Sequence, residues 1–173
     1  MFIDVSEIRK TPGQTFHYDF SENAGPFEVG NEELRFDKNV SVSVDVKNTG
    51  KVLDFNGSIE GDTVLTCSRC LESYPYHLKS TFEERFVHTS DIHDAQEEGQ
   101  NTDEMQVFEG NRIELDDIIS ESVILNVPMK LICSEECKGL CPGCGINLNT
   151  NKCDCQTEEI DPRLGVLKKF FER

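Results

Sequence analysis

Six of the eight cysteines in this 173-residue chain lie between Cys133 and Cys155, in the run CSEECKGLCPGCGINLNTNKCDC. The spacing is C-x3-C-x3-C-x2-C-x8-C-x-C, with no histidine among the sulfurs. Its centre, Cys141-Pro142-Gly143-Cys144-Gly145, has the form of a metal knuckle. Two thiolates three positions apart reach one ion, and Gly145 can take the positive φ that turns backbone N–H groups toward sulfur. All-sulfur, near-tetrahedral ligation selects zinc first and iron second. The expected role is structural. Catalytic sites combine His or carboxylate ligands with an open position, and His17, His77, His88 and His93 all lie outside the run. Disulfides are the competing reading, disfavoured because the chain carries no other mark of secretion.

Spacing alone leaves the division of these sulfurs open. Cys133 and Cys137 would share one face of a helical turn beginning at Ser134. Cys153 and Cys155 would share one face of an extended segment. Either pair, added to Cys141 and Cys144, completes a four-sulfur site holding about one ion per chain. A two-metal cluster sharing thiolates would use all six. The remaining pair, Cys67-Ser68-Arg69-Cys70, sits between two strand patterns, where no helix dipole lowers a thiol pKa as a redox pair requires. It could supply half of a metal site, since eight cysteines fill two four-sulfur sites. The adopted reading is a tight turn of reduced thiols in which Cys67, Arg69 and Cys70 meet a partner. Arg69 offers a planar five-donor fork; its competing role is an ion pair with Glu72.

No Ser/His/Asp set, phosphate loop or His-carboxylate site can be assembled, so no enzymatic turnover and no small-molecule substrate are expected. Net charge is −16, with 33 acidic residues against 17 Lys and Arg. Such a surface is repelled by phosphate backbones and makes a basic protein the more natural partner. A local patch of Lys130, Lys138, Lys152 and Arg163 is the basis of an alternative, RNA-binding reading, weakened by the interleaved Glu135, Glu136 and Asp154. No run of about 18 apolar residues is present, so no membrane span is expected. Asp4 and Glu7 stand where a signal peptide would be basic or apolar, which favours a cytoplasmic location.

The elements that position the cysteines follow from periodicity. Val40, Val42, Val44 and Val46 alternate with polar residues as a half-buried strand. Asn48-Thr49-Gly50-Lys51 turns the chain, and Leu53, Phe55 and Ile59 continue on one parity. A bulge or turn is expected at Gly61-Asp62. Tyr74 to Phe86 alternates again, giving an antiparallel meander, open or barrel-like. Segments around Phe2–Ile8 and Thr15–Phe20 read as strands or a strand and a helical turn, and 21–30 as a loop. Residues 89–104 lack Lys and Arg and read as a mobile acidic loop, with Met105–Phe108 a short strand after it. Leu115, Ile118, Ile119 and Val123 predict an amphipathic helix over 114–126. Asp161-Pro162 opens a closing helix carrying Leu164, Leu167 and Phe171. The expected class is α+β: a β domain with its helix over 1–127, and a Cys-rich zinc module with the closing helix over 128–173.

Four motifs taken in order resemble the YceD family of large ribosomal RNA subunit accumulation proteins. They are Cys67-x-Arg69-Cys70-Leu71, the helix Leu115-Asp116-Asp117-Ile118 through Leu125-x-x-Pro128, Lys138-Gly139-Leu140-Cys141-Pro142, and Asp161-Pro162-Arg163-Leu164. The resemblance spans roughly 40–170. It implies a non-enzymatic, cytosolic role in accumulation of 23S ribosomal RNA and biogenesis of the large subunit, with a basic ribosomal protein or pre-ribosomal particle as partner. Proteobacterial members keep the C-x-x-C turn but largely lack the C-terminal cluster. Any site shared by the whole family therefore matches Cys67, Arg69 and Cys70, and the cluster is a stabiliser of this branch.

Overall fold

The computed structural model describes residues 1–29 and 32–155. The chain divides into two compact units, Met1–Leu65 with Pro75–Met129, and Thr66–Tyr74 with Lys130–Arg173. The strands in chain order are β1 (Phe2–Asp4), β2 (Thr15–Glu22), β3 (Phe27–Val29), β4 (Glu32–Leu34), β5 (Val40–Asn48), β6 (Val52–Thr66), β7 (Ser73–His88), β8 (Gln106–Phe108) and β9 (Arg112–Glu114). Helix α1 (Ile92–Glu97) precedes β8 and α2 (Asp116–Asn126) follows β9. The class is α+β, as the sequence implied.

Alternation decides the main sheet. Val40, Val42, Val44 and Val46 are buried while Ser41, Asp45 and Lys47 face solvent. This one-faced pattern fixes register, because a slip of one residue would put every valine in water. β5 pairs antiparallel with β2 and β6, with Val44 opposite Tyr18 on one side and Gly57 on the other. The sheet order is β2-β5-β6-β7-β8. Its end strands β2 and β8 do not pair with each other, so the sheet is open. Phe55 is fully buried, and its ring lies 4.7 Å from that of Phe86.

β6 runs unbroken through Gly61, where the sequence suggested a bulge or turn. The glycine is there for space. A Cβ on Gly61 would come 2.7 Å from the Phe36 ring. At Gly57 the opposing Phe82 ring already occupies the volume a Cβ would need. Gly57→Ala is therefore expected to cost about 1–3 kcal/mol of unfolding free energy by overpacking. Denaturant unfolding checks this, and a neutral result would mean that the Phe82 ring can move aside.

Three expectations are corrected. Residues 89–104 are not an irregular loop: α1 lies between 3-10 turns at Thr89–Asp91 and Thr102–Glu104. Ile92 and Ala95 pack with Val52, Val87 and Met105, and Lys51 reaches Asp91 and Asp94 at 3.5 and 2.9 Å. A single turn with two apolar contacts and a distant cation leaves almost no periodic signal. That segment also serves as a crossover, so β8 runs parallel to β7 and the meander is mixed. Third, the 21–30 stretch contributes β3, which pairs with β4. Helix α2 buries Ile118, Ile119 and Val123 and ends at extended Val127, held out of the helical region by Pro128. The expected helix from Asp161 lies outside the described residues.

Candidate metal centre

Each C-x-x-C turn is built by the same backbone bonds. At Cys67–Cys70, the Leu71 N–H donates to the Cys67 carbonyl (2.9 Å) and the Cys67 N–H to the Glu72 carbonyl (2.9 Å). At Cys141–Cys144, the Gly145 N–H donates to the Cys141 carbonyl (2.8 Å) and the Cys141 N–H to the Ile146 carbonyl (2.8 Å). The residue after the second cysteine is left-handed in both, Leu71 at φ 60° and Gly145 at φ 74°. The pair between the strands is therefore a second metal knuckle. The sequence offers this only as the alternative to a turn of reduced thiols, and the knuckle's usual glycine is replaced here by a leucine, which rarely adopts this conformation.

The eight sulfurs form two sets of four, Cys67, Cys70, Cys133 and Cys137, and Cys141, Cys144, Cys153 and Cys155, each within 4.8 Å of one another. In the first set Cys67 and Cys137 are 3.9 Å apart and Cys70 and Cys133 3.7 Å. In the second, Cys141 and Cys153 are 3.3 Å apart. A tetrahedron with metal–sulfur distances of about 2.3 Å has sulfur–sulfur edges of about 3.8 Å, so the first set already has the size of a four-thiolate site. All eight cysteines are free. The six clustered sulfurs thus do not share one site: Cys133 and Cys137 leave Cys141 and Cys144 to Cys153 and Cys155. Cys67 and Cys70, expected to face a partner, are buried and point at sulfur.

Hydrogen bonds hold the first set in place. The Ser68 N–H donates to the Leu131 carbonyl at 2.7 Å and the Leu140 N–H to the Arg69 carbonyl at 3.1 Å. Arg69 is exposed, yet its Nη1 donates to the Glu135 and Cys137 carbonyls at 3.1 and 3.0 Å, and not to Glu72. Asn149 Nδ2 donates to Cys137 Sγ at 3.3 Å, while its Oδ1 accepts from the Lys138 N–H at 2.8 Å. Cys137 follows a short turn over Glu135–Glu136. In the second set Gly143 admits Cys155, whose Cβ would lie 3.3 Å from any Cβ placed on that glycine.

The electrostatics of both sets call for a cation. Burial pushes the Cys67 thiol up, but backbone N–H groups of Cys70, Cys133 and Arg69 aimed at the sulfur bring it down to about 6. N–H groups of Cys144 and Gly143, with the Cys153 thiol, bring Cys141 to about 6. The last member of each set resists ionising. Burial and the sulfurs of Cys137, Cys67 and Cys70 push Cys133 up to about 12, and those of Cys144 and Cys141 push Cys155 up to about 12. Each set thus pairs thiols that ionise readily, Cys67 and Cys137 in the first and Cys141 in the second, with others that resist further negative charge, which a soft divalent ion at its centre would neutralise.

Residues 55–171 match the family model described as large ribosomal RNA subunit accumulation protein YceD. The chain belongs to the YceD family. The match takes in both YceD knuckles and every sulfur of the two sets. A Bacillus subtilis protein, YlbN, is 27% identical over 98% of this chain and 95% of its own length. A Mycobacterium tuberculosis protein is 27% identical over 99% of this chain and 81% of its own. An Arabidopsis thaliana protein named large ribosomal RNA subunit accumulation protein YCED homolog 1, chloroplastic, is 32% identical over 78% of this chain and 49% of its own. No solved structure matches this YceD chain significantly.

Other candidate sites are weaker. His93, Asp94 and Glu97 approach one another but are fully exposed, and Lys51 already engages Asp94. A concavity of about 540 Å³ in the first unit presents Arg9 and Lys51, both paired with Asp91. No helix among the described residues is long and apolar enough to cross a membrane.

Proposed function

We propose that this chain is a cytoplasmic, non-enzymatic factor for accumulation of large-subunit ribosomal RNA. In this reading each four-thiol set holds a zinc ion, and the first ion shapes a turn that touches a basic ribosomal protein or pre-ribosomal particle. Zinc follows from the donor set: four thiolates at tetrahedral spacing, with no oxygen or imidazole ligand. Charge favours a protein partner over RNA. Between residues 89 and 121 eleven acidic side chains face Arg112 as the only Lys or Arg. Such a field attracts a basic partner and repels phosphate.

The observation that carries the contact is Leu71. Its side chain is 65% exposed and its backbone is left-handed, a combination that costs roughly 1–2 kcal/mol where glycine would cost nothing. Neither packing nor turn geometry repays a leucine there, and strain of this kind concentrates at functional surfaces. Arg69 is exposed on the same turn. Leu71→Gly tests the reading, because it relieves strain and leaves every sulfur in place. The variant is expected to keep its zinc and to gain about 1 kcal/mol of stability, yet fail to restore large-subunit ribosomal RNA in a strain lacking the protein. Full restoration would end the proposed contact.

A further inference from the structure

We infer that the two metal sites differ in kind, and that the Cys141, Cys144, Cys153 and Cys155 site is an exchangeable one. There an incoming thiol or chelator can displace protein sulfur, while the ion of the Cys67, Cys70, Cys133 and Cys137 site stays locked. The inference rests on the zinc reading above.

Access is the first difference. In the first set three of four cysteines are buried and only Cys133 is exposed. In the second only Cys141 is buried, with Cys153 intermediate and Cys144 and Cys155 exposed. Exchange proceeds by attack of a new ligand on the ion as one thiolate leaves. An exposed ligand edge admits that attack and a buried one does not.

Support is the second difference. Opening the first set also breaks the bonds of Ser68 to Leu131 and of Arg69 to Glu135 and Cys137, and strips Cys137 of its Asn149 donor. In the second set, Cys153 and Cys155 stand in a stretch with no regular structure. Half of that site's ligands therefore come from an irregular segment with Cys155 exposed, against the buried Cys67, Cys70 and Cys137 of the first set.

The test is zinc release from the full-length, zinc-loaded chain to the chromogenic chelator 4-(2-pyridylazo)resorcinol. Two phases of equal amplitude are expected, with rates about tenfold or more apart. Cys144→Ser should abolish the fast phase and leave the slow one. Arg69→Ala, which removes no ligand, should speed the slow phase by about 10–100-fold and leave the fast one alone. Release of two ions at one rate would overturn the inference while leaving the zinc reading intact, as would loss of the slow phase in Cys144→Ser. Freshly purified, reduced protein that holds no zinc would overturn both.

Discussion

With zinc in each four-thiol set, as proposed, Cys70→Ser is expected to cost one of the two ions and the order of residues 66–74 and 130–140, while the sheet persists. Apparent binding energies of structural zinc are about 10–16 kcal/mol in small finger peptides, comparable with the entire ~5–15 kcal/mol that holds an ordinary domain folded. Among the described residues nothing else joins Cys67 and Cys70 to the 131–140 stretch on that scale. The two backbone bonds there contribute about 0.5–1.5 kcal/mol each and the two guanidinium bonds about 1.5–3 kcal/mol each at most. The valine alternation of the sheet owes nothing to sulfur, so amide exchange should rise sharply in the two cysteine-bearing stretches and little over residues 40–65. Elemental analysis supplies the metal count. Two ions retained after Cys70→Ser would remove that residue from the ligand set.

The largest effect in the first unit is expected from Phe55→Ala. Phe55 is fully buried against Phe86, which in turn meets the edge of Phe108. Truncating such a ring costs about 3–5 kcal/mol, partly lost transfer energy and partly a cavity the neighbours cannot fill. Val64→Ala on the same strand, where the side chain is 48% exposed, should cost less than about 0.5 kcal/mol. Denaturation midpoints of the two variants compare them directly. A similar shift for both would mean that this strand is not buried as described.

What could be read from the sequence followed the strength of each periodic signal. Val40 to Val46, the 114–126 helix and the Cys141 knuckle repeat one simple rule over several residues, and all three are found in place. The crossover at 89–104 is held by Ile92, Ala95 and a lysine some forty positions upstream, and no window on the sequence contains that combination. Gly57 and Gly61 look like strand breakers until the Phe82 and Phe36 rings are placed over them. The pairing of Cys67 and Cys70 with Cys133 and Cys137 was open to inference by counting, because eight cysteines make two fours. Counting cannot choose between that pairing and a turn of reduced thiols, because the ligands are brought together only by folding across more than sixty positions.

That separation sets a timetable for the growing chain. Cys70 and Cys133 are 63 positions apart, so at roughly 5–20 residues per second the first knuckle waits about 3–13 s for the rest of its ligands. During that interval it is a bare dithiol at the end of a nearly finished hairpin, able to hold a metal ion by two sulfurs at most. The first site cannot close until Cys137 has left the ribosome. Closure of the metal clasp therefore follows synthesis of everything between the two halves of its ligand set, so it reports that the intervening strands and helices have been made.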